Sequence, residues 1–150
     1  MADRSTSTEL LAASYYYQSQ SQLNEARKAA SEAVAKAPGF GFARARLAEM
    51  EFSFGHNEAA LAATEESLKI APRNAQALAL KGFLLAAKQD FKGAMAAFDQ
   101  AIAADGSLGN AWLGRGLIKI SHGTVLFSRW GSSDAEGGRN SDDGVDRALE

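Results

Sequence analysis

The stretch KGFLLAAKQDFKGAMAAFDQAI, residues 81–102, holds two runs of almost equal length that meet at Gln89 and Asp90. Within each run, apolar residues recur three or four positions apart, which is the spacing of an amphipathic α-helix. Many of these apolar positions hold alanine rather than leucine. The stretch therefore predicts two short helices that pack closely against each other across a tight turn.

Small and helix-ending residues recur along the chain with a period of 34 residues. Pro38 and Pro72 are one period apart, and a further step reaches Gly106. A larger side chain at a close helix contact would overpack it, at a cost of roughly 1–3 kcal/mol. We therefore expect a seam between helices at three columns that contain only alanine, serine or glycine: Ala26, Ala60 and Ala94; Ala33, Ser67 and Ala101; and Ser14, Ala48, Gly82 and Gly116.

The repeated segment resembles the tetratricopeptide repeat (TPR), a helix–turn–helix with the pattern W-x2-L-G-x2-Y, then A-x3-F, then P. The resemblance covers residues 7–122, and the second repeat departs from the pattern at Arg44, Glu51 and Thr64. It implies an all-α fold, a right-handed α–α superhelix (TPR solenoid) of antiparallel helix hairpins. The residues that carry the resemblance include Leu10, Tyr17, Ala26 and Pro38; Leu47, Ala60 and Pro72; Leu78, Gly82, Ala94, Phe98 and Gly106; and Trp112 and Gly116.

Three parts are expected along the chain. They are a flexible N-terminus at 1–6, a TPR array at 7–123 and an irregular tail at 124–150. The array is expected to comprise about three and a half repeats, at 7–40, 41–74, 75–108 and, in part, 109–123. The expected helices are 7–20, 23–36, 41–54, 57–70, 75–88, 91–104 and 109–121.

The tail lacks a periodic apolar stripe and is rich in glycine and acidic residues. This composition favours irregular or disordered chain. Because Val125, Leu126, Phe127 and Trp130 are apolar, a short capping helix or hydrophobic plug is expected at 124–130. Solenoids usually need a polar terminal cap. Without one, either residues 124–130 or another molecule would have to cover the open face of the last helix of the array.

The composition argues against several classes of protein. The chain has 150 residues, no cysteine and a net charge of −2, whereas a nucleic-acid-binding protein needs a basic stripe. No apolar run reaches the roughly 18 residues of a membrane span, and the start MADRSTSTEL lacks the apolar core of a secretory signal. We therefore expect neither nucleic acid nor membrane as a partner. The localisation is unknown, with the cytoplasm as the default and the periplasm as the alternative if the chain is a fragment.

Catalysis is not expected. His56 and His122 lie near predicted turns, where they are expected to be solvent-exposed rather than catalytic or metal-ligating. There is no HExxH motif, phosphate loop, Gly-rich dinucleotide turn or nucleophile motif. The absence of cysteine also excludes disulfides and zinc–thiolate sites. We therefore expect no enzyme activity and no cofactor.

The TPR resemblance implies a concave groove that binds another polypeptide. In the family, this groove is lined by the second, fifth, ninth and twelfth positions of each first helix, with the sixth nearby. Much of it is apolar or aromatic here, and an aromatic stripe of this kind favours an apolar peptide or helix face. The alternative is that Phe52 and Phe83 simply pack against neighbouring helices. The predicted groove consists of Leu11, Tyr15, Arg46, Glu49, Phe52, Gln76, Phe83, Leu113, Leu117 and Ile120.

Polar groups in the predicted groove are few. TPR domains that clamp the carboxylate end of chaperone tails use cationic and amide side chains at positions that hold Leu11, Tyr15, Gln76 and Leu80 here, so this clamp is absent. The remaining cation is Arg46, with Glu49 three residues further along the same helix. We expect a solvated ion pair, with orientation of a peptide backbone or carboxylate as the alternative.

Two functions remain open. The first is a protein-interaction scaffold that binds a peptide or helix of a partner protein in the predicted groove. The second is a self-association module, in which residues 109–130 form a homodimer through the uncapped end of the array. The alanine-rich texture is similar to that of long bacterial TPR proteins.

Overall fold

The computed structural model describes residues 5–121, in which every element of regular secondary structure is helical. The chain divides into two compact units, Met1–Arg115 and Gly116–Glu150, which are described separately. Residues 109–121 are helical up to the last described residue. The first unit contains six complete helices: α1 (Ser7–Ser19), α2 (Leu23–Lys36), α3 (Gly41–Ser53), α4 (Asn57–Ile70), α5 (Ala75–Ala87) and α6 (Phe91–Ala104).

All seven helices begin at the residues expected from the sequence, and α1, α3 and α5 end one residue earlier than expected. Thr6, in the expected flexible N-terminus, caps α1, and Glu9 bonds back to the Thr6 N–H to complete a capping box. No helix within residues 5–121 combines the length and the apolar character that crossing a bilayer requires. His122 and the expected tail with its capping helix at 124–130 lie outside the described residues.

The helices of the first compact unit form consecutive hairpins. Helix α1 packs against α2, α3 against α4, and α5 against α6, while α2 contacts α3 and α4 contacts α5. The first helices of the hairpins, α1, α3 and α5, also contact one another in succession. The expected all-α array of helix hairpins is therefore confirmed, and one face of the array consists of first helices.

The expected seam of small side chains is present in the first compact unit. Ala26 packs with Met50, and Ala60 packs with Leu84, which lies one period after Met50. A similar relation joins two further clusters: shifting Leu10, Ala33 and Ala43 by two periods gives Leu78, Ala101 and Ala111. Equivalent residues thus make equivalent contacts. The column residues with no solvent exposure are Ser14, Ala26, Ala33, Ala48, Ala60, Ser67, Ala94 and Ala101.

Each first helix ends in the same kind of turn. Ser21, Gly55 and Gln89, which are one period apart, have φ values of 59°, 78° and 63°. In each case the next residue donates its backbone N–H to a carbonyl in the last turn of the helix, with a donor–acceptor distance of 2.9 Å. This left-handed residue and its bond are the features of a Schellman motif. The reversal that turns the second helix back along the first is therefore set by backbone hydrogen bonds.

Phe98 shows how tight the packing within the array is. Its ring is fully buried and lies against two glycines, Gly82 on α5 and Gly114 on the following helix. A Cβ atom added to Gly82 would lie 2.6 Å from the ring, and one added to Gly114 would lie closer still. Because both sides of the ring are occupied, the ring has no room to move away from an added methyl group.

We predict that Gly82→Ala destabilises the fold by about 1–3 kcal/mol, the usual cost of overpacking a rigid core. Denaturant unfolding measures the change in the free energy of unfolding. Gly109→Ala is the matched control, because no heavy atom lies within 4 Å of its added Cβ. Equal stability of Gly82→Ala and the wild type would contradict the close contact with Phe98.

A buried carboxylate network joins the first two hairpins. Glu51 is 9% exposed and occupies the column that holds Tyr17 one period earlier. Its two oxygens are bonded to Arg27 Nε on α2 and to His56 Nδ1 in the next turn, both at 2.7 Å. Burial acts to raise the pKa of Glu51, but the hydrogen bonds to His56 and Arg27 outweigh it and lower the pKa. His56, expected to be a solvent-exposed turn residue, is half exposed and paired with this carboxylate.

We predict that Glu51→Gln costs about 1–2 kcal/mol of stability at neutral pH, because the amide cannot accept from both partners. A carboxyl group with a lowered pKa in the fold stabilises it above its unfolded pKa, and this contribution is lost as the pH falls through the folded value. The gap between wild type and variant should thus be full above pH 4.5, the ordinary value for glutamate, and shrink below it.

Chemical unfolding at a series of pH values tests this dependence. Glu66→Gln is the matched control, because Glu66 forms an exposed pair with Lys69 on α4 and its loss should leave stability unchanged. If the difference in stability between wild type and Glu51→Gln stayed constant through the acid range, the lowered pKa of the Glu51 carboxylate would be contradicted.

Candidate functional site

The first helices together line one cleft in the first compact unit. Its volume is about 390 Å³, within the range of roughly 300–1,000 Å³ of ligand-binding clefts. Helices α1, α3 and α5 supply most of its walls, and Leu108 and Asn110 complete them. The cleft is lined by Tyr15, Gln18, Arg46, Glu49, Met50, Phe52, Ser53, Gln76, Ala79, Leu80, Phe83, Leu108 and Asn110.

The cleft brings together six of the ten residues of the predicted groove, namely Tyr15, Arg46, Glu49, Phe52, Gln76 and Phe83. Leu11, which is half-buried, and Leu113, which is exposed, are not among the lining residues. Leu117 and Ile120 belong to the second compact unit, where both are exposed.

Some lining residues were not in the predicted groove. The rule that second positions of first helices line the groove gives Gln76, and the same rule applied one period later gives Asn110. Leu108 precedes the helix of residues 109–121, so a rule that considers only helix positions misses it. Met50 also lines the cleft, although it is only 1% exposed. Its burial depends on packing against neighbouring helices, which the sequence of α3 alone does not show.

Arg46 is the polar centre of the cleft wall. Its guanidinium donates to the hydroxyl and the backbone carbonyl of Ser14, at 2.8 and 3.1 Å, and to Gln18 Oε1 at 2.8 Å. A fourth bond, at 3.0 Å, goes to Glu49 Oε2 on the same helix. The Tyr15 ring covers the guanidinium, with 3.8 Å between the ring centroid and Cζ. Arg46 therefore fixes α3 to α1.

The expectation of a solvated Arg46–Glu49 pair is wrong. The Arg46 side chain is 3% exposed, because the tyrosine ring and α1 cover it. A guanidinium has five N–H donors, and four of the bonds that Arg46 can make are used within the protein. The ion pair is thus part of the wall, and Arg46 has little capacity left to hold a ligand carboxylate.

Glu49 is the more accessible partner of the pair, with a side-chain exposure of 28%. Desolvation raises the pKa of Glu49, and the hydrogen bond and charge of Arg46 offset only part of this effect. Desolvation also raises the pKa of Tyr15, and the nearby Glu49 charge adds to the rise. The charge of Arg46 and the side chain of Gln76 act in the opposite direction on the pKa of Tyr15.

Phe52 and Phe83 both line the cleft and pack into the core. Phe52 packs against the cluster that contains Ala60 and Leu84. The Phe83 ring meets the buried Phe98 ring edge-on, with 5.0 Å between the centroids. Both aromatic residues are half-buried. The two roles left open by the sequence are therefore combined in each residue, and these rings are anchored parts of the cleft wall.

Within residues 5–121, no group of three or more His, Cys, Asp or Glu side chains is arranged to hold a metal ion. His56 is paired with Glu51 and is not among the residues that line the cleft. The polar groups in the cleft offer hydrogen bonds and one ion pair. This arrangement suits recognition of a ligand by shape, apolar contact and hydrogen bonding.

Solved structures share this fold at low sequence identity. The crystal structure of MamA is 20% identical, with a TM-score of 0.67 over 81% of this chain and 71% of MamA. The Sgt2 TPR domain from Aspergillus fumigatus is 20% identical, with a TM-score of 0.71 over 80% of this chain and 81% of that domain. The sequence matches no protein-family model and no curated protein.

A third solved structure is the first TPR of Spaghetti (RPAP3) bound to the HSP90 peptide SRMEEVD. It is 14% identical to this chain, with a TM-score of 0.69 over 79% of this chain and 94% of that one. Together these similarities confirm the TPR resemblance at the level of the fold.

We predict that Arg46→Ala lowers the free energy of unfolding by about 2–4 kcal/mol, because it leaves the fully buried Ser14 and the half-buried Glu49 without their donor. Urea unfolding measures this loss. Arg73→Ala is the control, since Arg73 is exposed and its replacement should change stability by no more than about 0.5 kcal/mol. Equal midpoints for the two variants would show that Arg46 does not hold α3 against α1.

Proposed function

We propose that this chain, which has the fold of tetratricopeptide-repeat domains, is a non-enzymatic module that binds a peptide or helix of a partner protein in the cleft. The observation that carries the proposal is that side chains of α1, α3 and α5 line one cleft. A partner segment that lies along the cleft would therefore contact three successive repeats.

The cleft is suited to binding because its walls are already ordered. Tyr15 and Arg46 hold each other in place, and Phe83 is fixed against Phe98. Binding a ligand to fixed side chains costs less conformational entropy than ordering mobile ones, which favours affinity. The rigid wall also favours a ligand that fits one arrangement of apolar and polar groups.

The composition of the cleft matches that of interfaces with peptides. Its apolar part includes Phe52, Leu80 and Phe83, and its polar part includes the carboxamides of Gln76 and Asn110. Aromatic side chains are enriched at the residues that dominate binding energy. Carboxamides both donate and accept hydrogen bonds, as a peptide backbone does. The cleft therefore offers contacts to the side chains and to the backbone of a bound segment.

The structure of the RPAP3 TPR with an HSP90 peptide supports a polypeptide ligand for this fold. The present cleft differs in its chemistry from the carboxylate clamp described above. The positions of that clamp hold Leu11, Tyr15, Gln76 and Leu80, none of which is a cation. We therefore propose a polypeptide ligand other than an acidic chain terminus.

Self-association is the second candidate function. The observation that favours it is the exposure of large apolar residues in the helix of residues 109–121. Trp112 and Leu113 are 49% and 59% exposed. Trp112 nevertheless donates its indole N–H to the Gly106 carbonyl and contacts Arg115. The cleft, by contrast, is lined by side chains from three hairpins, so we favour binding of a different polypeptide.

We predict that Ser53→Trp abolishes peptide binding while preserving the fold. Ser53 lines the cleft and is exposed at the end of α3, so a large ring there fills the cleft rather than the core. The measurement is selection of a synthetic library of random-sequence peptides on the immobilised chain. Ser31→Trp is the matched control, because Ser31 is exposed on α2 and is not a lining residue.

Two outcomes would contradict the proposal. One is that the wild-type chain enriches no peptide, and the other is that Ser53→Trp and Ser31→Trp select the same peptides equally well. Light scattering of the same samples tests the second candidate. A mass that rises with concentration, and that Ser53→Trp leaves unchanged, would favour self-association through a different surface.

A further inference from the structure

The cleft presents its two formal charges unequally. Among the lining residues, Arg46 and Glu49 carry charge at neutral pH. The Arg46 side chain is 3% exposed and the Glu49 side chain is 28% exposed. The net charge of the pair is zero, but a ligand in the cleft meets the carboxylate first.

The geometry around Arg46 explains this difference. The Tyr15 ring lies 3.8 Å from the guanidinium carbon, and Ser14 and Gln18 occupy donors on the α1 side. The interaction energy between two charges falls with the distance that separates them. A ligand charge beside the Glu49 carboxylate is therefore acted on more strongly by Glu49 than by the covered Arg46. The ion pair acts on a ligand as a dipole with its negative end exposed.

Glu49 also retains capacity to accept hydrogen bonds. Its Oε2 accepts one bond, from Arg46 Nη1 at 3.0 Å. An ionised carboxylate has two oxygens and about four lone-pair sites, so further donors can bind without displacing Arg46. The half-buried rings of Phe52 and Phe83 line the same cleft, and aromatic faces attract cations within about 6 Å.

We infer that the cleft selects a partner segment in which a lysine or arginine side chain, bound by Glu49, lies among uncharged apolar residues. This inference rests on the proposed function and specifies the chemistry of its ligand. The cation would bond to Glu49, while the neighbouring apolar residues would contact Phe52, Phe83 and Leu80. A segment with an acidic side chain at the same place would bring a second carboxylate close to Glu49. Arg46 is too well covered to offset the repulsion between the two carboxylates.

Desolvation gives a further reason for this preference. The raised pKa of Glu49 shows that its charged form is less well solvated than in water, and Arg46 offsets only part of that loss. A bound ammonium or guanidinium group would supply the missing stabilisation of the carboxylate. An uncharged ligand would instead cover the carboxylate further without replacing the water that it displaces.

The test compares the peptides that wild type, Glu49→Gln and Glu66→Gln enrich from one random-sequence library. Glutamine has the shape of glutamate and keeps an acceptor for Arg46, so Glu49→Gln is expected to fold, and thermal unfolding checks this. Glu66 is the matched control because it is an exposed carboxylate on α4 that does not line the cleft. We expect lysine and arginine to be enriched by wild type and Glu66→Gln, and not by Glu49→Gln.

An enriched peptide then allows a quantitative comparison by fluorescence polarisation. Replacing its basic residue by glutamine should weaken binding to wild type by roughly tenfold, a typical effect of losing a charge-assisted contact. The same replacement should change binding to Glu49→Gln by less than about twofold. Replacement by glutamate should weaken binding to wild type further, because it adds repulsion.

Three results would overturn the inference while leaving the proposed function intact. They are enrichment of acidic or uncharged peptides by wild type, basic enrichment that Glu49→Gln retains, and tighter binding of the selected peptide to wild type once glutamate replaces its basic residue. Failure of wild type to enrich any peptide would instead contradict the proposed function itself. The two failures are thus distinguishable within one experiment.

Discussion

The close approach of paired helices is the constraint on which the rest of the structure depends. Ala26, Ala60 and Ala94 are each fully buried, and the first two make equivalent contacts with Met50 and Leu84. Because the side chains at these contacts are small, the two helices of a hairpin can lie close together, and the contact recurs from one repeat to the next. This regular spacing places α1, α3 and α5 side by side, so that they can line a common cleft. The cleft is therefore a consequence of the seam, although no residue of the three alanine positions lines it.

The sequence predicts the fold well because the period is a local and repeated signal. Small residues recur at fixed positions, and polar caps such as Asn74 and Asp90 mark where α5 and α6 begin. The ends of the first helices are less predictable. Each is followed by a left-handed residue, but only Gly55 is of a type that favours this conformation, whereas Ser21 and Gln89 adopt it within the same hydrogen-bonded turn. The backbone hydrogen bonds of the turn thus override residue preference at two of the three turns.

The site is predicted less completely because it depends on contacts between distant residues. The positional rule that the family resemblance implies finds Tyr15, Glu49 and Gln76 in the cleft, because its positions lie three or four residues apart on one face of each first helix. It does not show that Arg46 is buried. That burial requires the Tyr15 ring and the acceptors of Ser14 and Gln18, on a helix about one repeat earlier in the chain. An arginine with a glutamate three residues away has the same sequence pattern whether the pair is solvated or covered.

The charged contacts make the junction between the first two hairpins specific, which the alanine contacts of the seam do not. Alanine contacts are nearly the same at successive junctions, so they favour stacking without distinguishing one neighbour from another. In α3, by contrast, Arg46 is bonded to Ser14 on α1, and Glu51 is bonded to Arg27 on α2. Each buried charge would lose its partner if α3 stacked against a different hairpin, and an unpaired buried charge is costly. The bonds that hold Arg46 to α1 also leave Glu49 as the charge that faces the cleft, so the contacts that order the repeats also determine the electrostatic character of the cleft.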